Sequence, residues 1–295
     1  MEIKIGNHIY TYVKERENAP ILVYRSDNTF LRIGPRELLE KEKIFHQKLF
    51  DLGFPVPQIL EEGEKEGQYY FVESSVGSEH FGDIFKEDMQ KDGVISDENF
   101  TRFLQIAKKF AEAQLKETSV INWQTFEGVL HANILFEELP VLREKSIFAL
   151  KKARERTQEL PAVLSHGDFN PYNIFEKGCI DLEHFSTAPA GYDVITNIFH
   201  FKMFPRGDAY EHPQKYRFSK EQIDKYFLEI DTIYQSKGLP AISRYKDDFS
   251  FCRSIWSTGR MARWPRLQKW RYRLYEELLN SYLQDKDMSS VKIAN

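Results

Sequence analysis

Cysteine is nearly missing from this chain: Cys179 and Cys252 are the two present among 295 residues. Two are too few for a disulfide framework and wrongly spaced for zinc, so a reducing compartment is expected. Long apolar runs are missing as well. Nothing approaches the ~20 consecutive apolar residues of a membrane helix, and the opening MEIKIGNHIYTYVKE lacks the apolar core of a signal peptide. These absences predict a cytoplasmic protein with no membrane partner. There is no basic surplus either. The formal net charge is −4, which speaks against a nucleic-acid partner. What is present is ordinary: 41% hydrophobic and 29% charged residues, enough to bury a core in one large or two smaller domains. Aromatic residues make up 14% of the chain, and core packing is the expected role of most of them.

Residues 1–33 alternate and are rich in β-branched and aromatic side chains: IYTYV, ILVYRS, TFLRI. They predict three strands, with turns at Glu17-Asn18-Ala19-Pro20 and Asp27-Asn28. GPRELLEKEKIFHQKLFDLG reads as a helix, with Pro35 suited to its first turn and Gly53 to its stop. Leu38, Ile44, Phe45, Leu49 and Leu52 give its apolar stripe. FPVPQIL is extended, and Gln68 to Ser74 reads as another strand. After SVGSEHFGDIF the pattern turns helical. Phe103, Ile106, Ala107, Phe110, Ala111 and Leu115 recur at helical spacing. Ser219 with Gln222 makes a capping box before Ile223, Tyr226, Phe227, Ile230, Ile233 and Tyr234. SIWSTGRMARWPRLQKWRYRLYEELLNSYL predicts a helix, a break near Pro265 and a second helix. The expected class is α+β, with a small β-rich lobe over residues 1–75 and a larger, mostly helical lobe over 76–295.

Inside the second lobe lies LSHGDFNPYNIF, Leu164 to Phe175, followed by CIDL. NIF and CIDL read as a short β-hairpin around a Lys-Gly turn. That hairpin would carry Asp168 and Asn173 before its first strand and Asp181 at the end of its second, three oxygen-bearing side chains at one end. Phosphoryl transfer needs this layout. It asks little covalent help of a protein. It needs Mg²⁺ on the phosphate oxygens and a carboxylate that orients the attacking hydroxyl. Protein kinases space the base and one metal ligand as Asp-x-x-x-x-Asn, with a second Asp after a short strand. Mg²⁺ takes hard oxygen ligands and keeps waters, so one carboxylate and one amide oxygen beside the nucleotide phosphates suffice.

With His166-Gly167-Asp168, Asn173 and Ile180-Asp181-Leu182-Glu183 in place, and Asp193 in GYDVI, the sequence resembles the aminoglycoside phosphotransferase and choline kinase family and its sugar, homoserine and fructosamine kinase relatives. TFLRIGPRELLEKEKIFHQKLFDLGFPVPQIL is similar to the family's third strand, first helix and Pro-Val-Pro segment. YYFVESSVG is similar to the strand that leads to the hinge between lobes. The resemblance spans residues 10–200 or so and implies a two-lobed, protein-kinase-like fold. By chance, His-Gly-Asp with an Asn five after the Asp arises at on the order of one in 10⁵ start positions.

The resemblance implies an ATP- and Mg²⁺-dependent transfer of the γ-phosphoryl group to a hydroxyl of a small-molecule acceptor, such as a sugar, an amino alcohol or an aminoglycoside-like compound. Asp168 would orient that hydroxyl and accept its proton late; Asn173 and Asp181 would hold Mg²⁺. His166 would prop the loop and Asp193 would brace it from inside the lobe, while Glu183 and His184 receive no role. In the first lobe the family's phosphate-contacting strand Lys aligns with Arg32, a planar fork in place of a point charge. Glu42 would pair with it, with Glu40 as the alternative. The phosphate-covering loop falls near Lys14 to Ala19 and contains no glycine. The adenine would meet the hinge through backbone groups of Val72, Glu73, Ser74 and Ser75, up to Val76.

The last third carries Arg253, Arg260, Arg263, Arg266, Trp256, Trp264 and Trp270. Amphipathic helix packing explains them; so does an acceptor pocket. Tryptophans could cage a quaternary ammonium, whereas the arginines suit a carboxylate or phosphate. Aminoglycosides favour acidic pockets and no acidic cluster stands here, so no antibiotic substrate is assigned. Two functions remain open: a small-molecule kinase, or a kinase-fold protein that binds nucleotide or a partner without turnover. A protein kinase is disfavoured, because no Ala-Pro-Glu signature or long activation segment follows Asp181.

Overall fold

The computed structural model describes the chain except residues 17–18, 183–184, 208, 260–263, 289–290 and 292–295. The N-terminal part is one antiparallel sheet with a single covering helix. Its strands are β1 (Glu2–Ile5), β2 (His8–Glu15), β3 (Leu22–Ser26), β4 (Thr29–Gly34), β5 (Ile59–Lys65) and β6 (Gln68–Ser74), in the order β1-β2-β3-β4-β6-β5. Four strands, not three, occupy residues 1–34. The additional one, β1, is only four residues long, turns Ile3 and Ile5 inward from Glu2 and Lys4, and pairs Ile5 with His8.

Strand periodicity divides the sheet into two faces. Leu31, Ile33, Tyr70 and Val72 pack on one side with Tyr10 and Tyr24. On the other side Phe71 and Tyr69 meet Leu39 of α1 (Arg36–Asp51). Arg32 and Glu73, alternating with those residues, therefore point toward α1. The buried stripe of α1 is Leu39, His46 and Leu49. Leu38 and Ile44, expected inside, are exposed. The helix is rotated from the purely apolar reading because its sheet-facing stripe contains two polar residues: Glu42, which pairs with Arg32 of β4, and His46, whose Nδ1 stands 3.4 Å from Glu73 Oε2 of β6. Gly53, with φ +81°, follows the helix as its stop.

The remainder is mainly helical: α2 (Phe81–Asp92), α3 (Asp97–Gln114), α4 (Trp123–Val129), α5 (Ala132–Glu138), α6 (Arg143–Thr157), α7 (Tyr192–Phe199), α8 (Lys220–Ser236), α9 (Lys246–Gly259) and α10 (Pro265–Leu283). Ser219 and Gln222 cap α8 reciprocally, as their spacing predicts. The expected break near Pro265 is bounded by the end of α9 and the start of α10, and residues 260–263 between them lie outside the described residues. Three strands, β7 (Thr118–Ser119), β8 (Ala162–Ser165) and β11 (Ser186–Pro189), form a small antiparallel sheet in the order β11-β8-β7. Most phenylalanines serve the core, as expected; Phe81, Phe85, Phe100 and Phe103 are fully buried there. Cys179 and Cys252 are buried and unpaired. No described helix is long and apolar enough to cross a membrane.

The expected hairpin is present as β9 (Ile174–Phe175) and β10 (Gly178–Cys179). Its turn is Glu176-Lys177, so Gly178 belongs to the second strand rather than the turn. Glycine is required there by close approach: a Cβ would stand 2.3 Å from the Pro55 carbonyl oxygen. Cys179 N–H donates to that carbonyl at 2.7 Å, and Lys177 N–H donates to Val76 O at 2.8 Å. The hairpin is thereby bonded to segments on both sides of the β5–β6 pair.

Candidate active site

The loop between β8 and β9 carries His166, Asp168 and Asn173. Its scaffold is Asp193, 1% exposed, at the start of α7. Asp193 accepts hydrogen bonds from Gln114 Nε2 (2.7 Å), Ser165 Oγ (3.1 Å), His166 N–H (3.3 Å) and Gly167 N–H (3.1 Å). Burial raises its pKa, opposed by His166 and by these donors. His166 Nε2 lies 2.8 Å from Ile180 O, and its Nδ1 accepts from Asp168 N–H at 3.4 Å. These partners set the Nε2–H tautomer and tie the loop to the residue that precedes Asp181. His166 and Asp193 thus hold the loop by hydrogen bonds.

Asp168 is fixed on three sides. Asn170 Nδ2 donates to its Oδ1 at 2.9 Å, and Asn173 Nδ2 donates to its backbone oxygen at 2.9 Å. Arg253 Nη2 of α9 reaches its Oδ1 at 2.6 Å, while Arg253 Nη1 donates to Gly167 O at 3.1 Å. Arg253 is buried, with its guanidinium 3.6 Å from the Trp256 ring centroid. Burial would raise the Asp168 pKa, but Arg253 outweighs it and holds the carboxyl down at about 2. Asp168 is therefore an anion at every physiological pH.

With its Nδ2 committed to Asp168, Asn173 keeps Oδ1 without a side-chain or backbone donor among the described residues. Ile180 N–H donates to Asn173 O at 3.0 Å, which brings Asp181 to the same end of the hairpin. Asp181 has φ +65°, a conformation few side chains adopt. No hydrogen bond or ion pair engages its carboxylate among the described residues. A carboxylate and an amide oxygen left without protein donors are chemistry that fits Mg²⁺. No cluster of three His, Cys, Asp or Glu side chains suited to a metal occurs among the described residues, so an ion here would complete its shell with ligand and water oxygens.

Across from Asp181, Arg32 bonds Glu42 (2.7 Å) and Glu73 (2.8 Å). Burial works to lower its pKa, and Glu73, Glu42 and Asp181 together override that and raise it. Glu42 is the helix partner; Glu40 pairs with Arg36 instead. Glu73 contributes its side chain to the Arg32 pair. Val72 packs in the sheet. The N–H groups of Ser74 and Ser75 are already donated to Gln58 O (2.9 Å) and Asn28 O (2.7 Å). A docked base would have to use other hinge groups than these two amides. The covering loop, of which residues 17–18 lie outside the described set, supplies Arg16, which holds the second oxygen of Glu42 at 2.7 Å. Glu183 and His184 also lie outside it.

Asp168 and Asn173 open onto a cavity of about 460 Å³. Tyr172, Phe201, Phe204 and Trp264 line it, with Lys86 and Lys215 among its charged groups. Of the C-terminal arginine and tryptophan set, Trp264 lines the cavity, Arg253 stands behind Asp168, and Trp256 and Trp270 are buried. Arg266 bonds Ala209 O at 3.0 Å. Arg260 and Arg263 lie outside the described residues. The sequence reading missed Arg16, Asn170, His46 and the Arg253 clamp. Only Asn170 had a local signal, the Asn-Pro step that marks a turn.

The sequence profile of the phosphotransferase enzyme family matches residues 21–219, more than half of the chain. The chain belongs to this family. The phosphotransferase is similar in fold to a choline/ethanolamine kinase family protein from Mesorhizobium loti, with 14% identity, 92% of this chain and 91% of that one covered, and a TM-score of 0.57. It is also similar to an aminoglycoside phosphotransferase from Streptomyces rimosus in complex with ADP and streptomycin, with 13% identity, 80% and 90% covered, and a TM-score of 0.50. The two-lobed kinase-like fold follows from this likeness. A comparison with curated protein sequences finds no match.

Proposed function

We propose that this phosphotransferase moves the γ-phosphoryl group of ATP to a hydroxyl of a small molecule. Residues 1–75 would hold the nucleotide, and residues 76–295 would supply the catalytic loop and the acceptor cavity. The observation that carries this reading is the placement of Asp168: a permanently ionised carboxylate on the wall of a cavity, beside Asn173 and Asp181 at one end of a hairpin. Asn173 and Asp181 would hold Mg²⁺, which when bound neutralises phosphate charge. Arg32 faces the same space and adds fixed positive charge there. Asp168 orients the acceptor hydroxyl and takes its proton after bond formation to phosphorus is advanced. A carboxyl held at about 2 is a weak base, which suits a loose transition state in which positioning and electrostatics dominate.

The same clamp favours one second reading, a kinase-fold protein that binds nucleotide with little turnover. Calorimetry decides between them and tests the roles. Mg·ATP should bind; Asp181→Ala should weaken that binding and Asp168→Ala should not. Equal losses would mean that the roles are misassigned. Absence of binding by the folded wild-type protein would remove both readings. ATP consumption over a panel of hydroxylated metabolites then separates turnover from binding alone.

A further inference from the structure

The fixed charge around the acceptor cavity is lopsided. Arg271 of α10 is 1% exposed. It stands one turn beyond Leu267, which lines the cavity, and lies 5.1 Å from the ring centroid of Phe204, which lines it too. Its partners are two carbonyls, Met203 O at 3.2 Å and Ser257 O at 2.7 Å. No carboxylate pairs with it among the described residues. Burial and the neighbouring Arg253 lower its pKa to about 9, which leaves it a cation at neutral pH. Asp168, the carboxylate whose charge acts on Arg271, is taken by Arg253. At the cavity wall neither Lys86 nor Lys215 has an ion-pair partner among the described residues, and Asp83 has His80 at 3.2 Å. Among the described residues that line or back this cavity, the cations Lys86, Lys215, Arg253 and Arg271 stand against Asp83 and Asp168, while Glu211, bonded to the backbone of Leu267, is met by Arg266. His200, between Asp168 and the two arginines, stays neutral because burial and those arginines depress its pKa to about 3.

Positive charge in a partly buried cavity repels a cationic ligand and attracts an anionic one, more strongly than in water. The rings of Tyr172, Phe201, Phe204 and Trp264 offer an apolar body its contacts. On the reading of this cavity as the acceptor site, we propose that the acceptor is an acid: a small, apolar-bodied hydroxy compound whose hydroxyl meets Asp168 and whose carboxylate or phosphate meets Lys86 and Lys215. The surplus of cations discriminates against amines, including quaternary ammonium and aminosugar acceptors.

The test is calorimetry with four para-substituted benzyl alcohols of one shape, carrying a carboxylate, a phosphate, a carboxamide or an aminomethyl group. The carboxylate or phosphate compound should bind about tenfold or more tightly than the amide, the range of hydrogen bonds to charged groups. The better of the two acids identifies which group the site prefers. The aminomethyl compound should bind weakest. In Lys86→Met/Lys215→Met, two substitutions outside the core checked by an unchanged melting temperature, the preference for acid should collapse toward the amide. An aminomethyl compound that binds tightest, equal binding of all four, no binding of either acid at millimolar concentration, or an acid preference undiminished in the double variant overturns the proposal. Mg·ATP titrated into the same sample separates the two failures. If Mg·ATP binds and the acids lose, only the acid assignment falls. If Mg·ATP does not bind and the acids win, the phosphotransfer reading falls and the anionic site stands.

Discussion

Guanidinium groups keep different company on the two sides of this site. On the sheet side Arg16 and Arg32 face Glu42 and Glu73, two cations against two carboxylates, with both oxygens of Glu42 bonded to arginine. On the helical side Arg253 takes Asp168, and Arg271 bonds two backbone carbonyls with no carboxylate partner among the described residues. The difference locates the electrostatic work. The sheet side is self-neutralised among the described residues, so on the proposed reading incoming phosphate charge would be met largely by an ion on Asn173 and Asp181. The helical side holds positive charge in reserve, and it does so where the acceptor would enter. The same pairing also makes Asp168 and Arg32 unlike in kind: Asp168 is locked by its partner, whereas Arg32 bridges two.

The sharpest way to break this comparison is Asp168→Asn, tested once an acceptor is known. Asn keeps the shape and loses the charge. A general base contributes ~10²–10⁴-fold, so kcat should fall by that factor, roughly 3–5 kcal/mol of barrier, with Mg·ATP affinity unchanged. Retention of more than about a tenth of kcat would rule out the base role. Arg253→Met should complement it: without the guanidinium the Asp168 carboxyl rises from about 2 toward its ordinary range, and the acid limb of the kcat profile moves to higher pH.

Next in size is Asp193→Ala, which leaves four donors without their acceptor. Each orphaned buried group costs ~1–3 kcal/mol, so denaturant midpoints should report a loss of about 3 kcal/mol or more, and the Asp168 loop should lose protection from hydrogen exchange first.

The pH dependence of stability sharpens the picture of neutral groups beside arginine. Burial, aided by Arg32 and Arg253, lowers His46 to about 4 and His200 to about 3 from an ordinary 6.5. Below pH 6.5 the unfolded chain takes up these protons and the folded chain does not. Stability is therefore full above 6.5 and lost on acidification toward 4, by up to ~1.4 kcal/mol per pH unit for each histidine. Thermal melts at pH 5 and pH 7.5 should show the lower midpoint at pH 5; equal midpoints would contradict buried, neutral histidines.

The smallest expected effect belongs to Arg16→Ala. Its ion pair is about one-sixth exposed, so a loss of about 1 kcal/mol, or roughly fivefold in Mg·ATP affinity, is expected. Adenosine affinity should not change. An equal loss for adenosine would place Arg16 in loop packing rather than in the phosphate field.

Much of the fold could be read from local signals. The capping box of α8, the stop at Gly53, the hairpin and the Asp168–Asn173–Asp181 spacing each depend on residues a few positions apart. Where side chains from distant segments decide the outcome, the reading stopped short. Apolar periodicity misplaced the buried face of α1, because Glu42 and His46 face the sheet, and Arg32 and Glu73, which they meet there, come from β4 and β6. Arg253 lies 85 residues from Asp168 in sequence, and its i, i+3 spacing to Trp256 looks like any amphipathic helix. The cavity wall around His200, Phe204 and Tyr216 comes from a segment with no periodic pattern at all.

Asp181 sets stability and activity against each other at one codon. Its left-handed backbone, φ +65°, is costly for most side chains and free of that cost for glycine. Asp181→Gly should therefore melt at a higher temperature while losing the carboxylate proposed to hold the metal. Glu66, His131 and Asp285 share this backbone, but on the proposed reading only Asp181 sets that strain against a carboxylate the site uses, so selection for thermal robustness alone would work against function at residue 181.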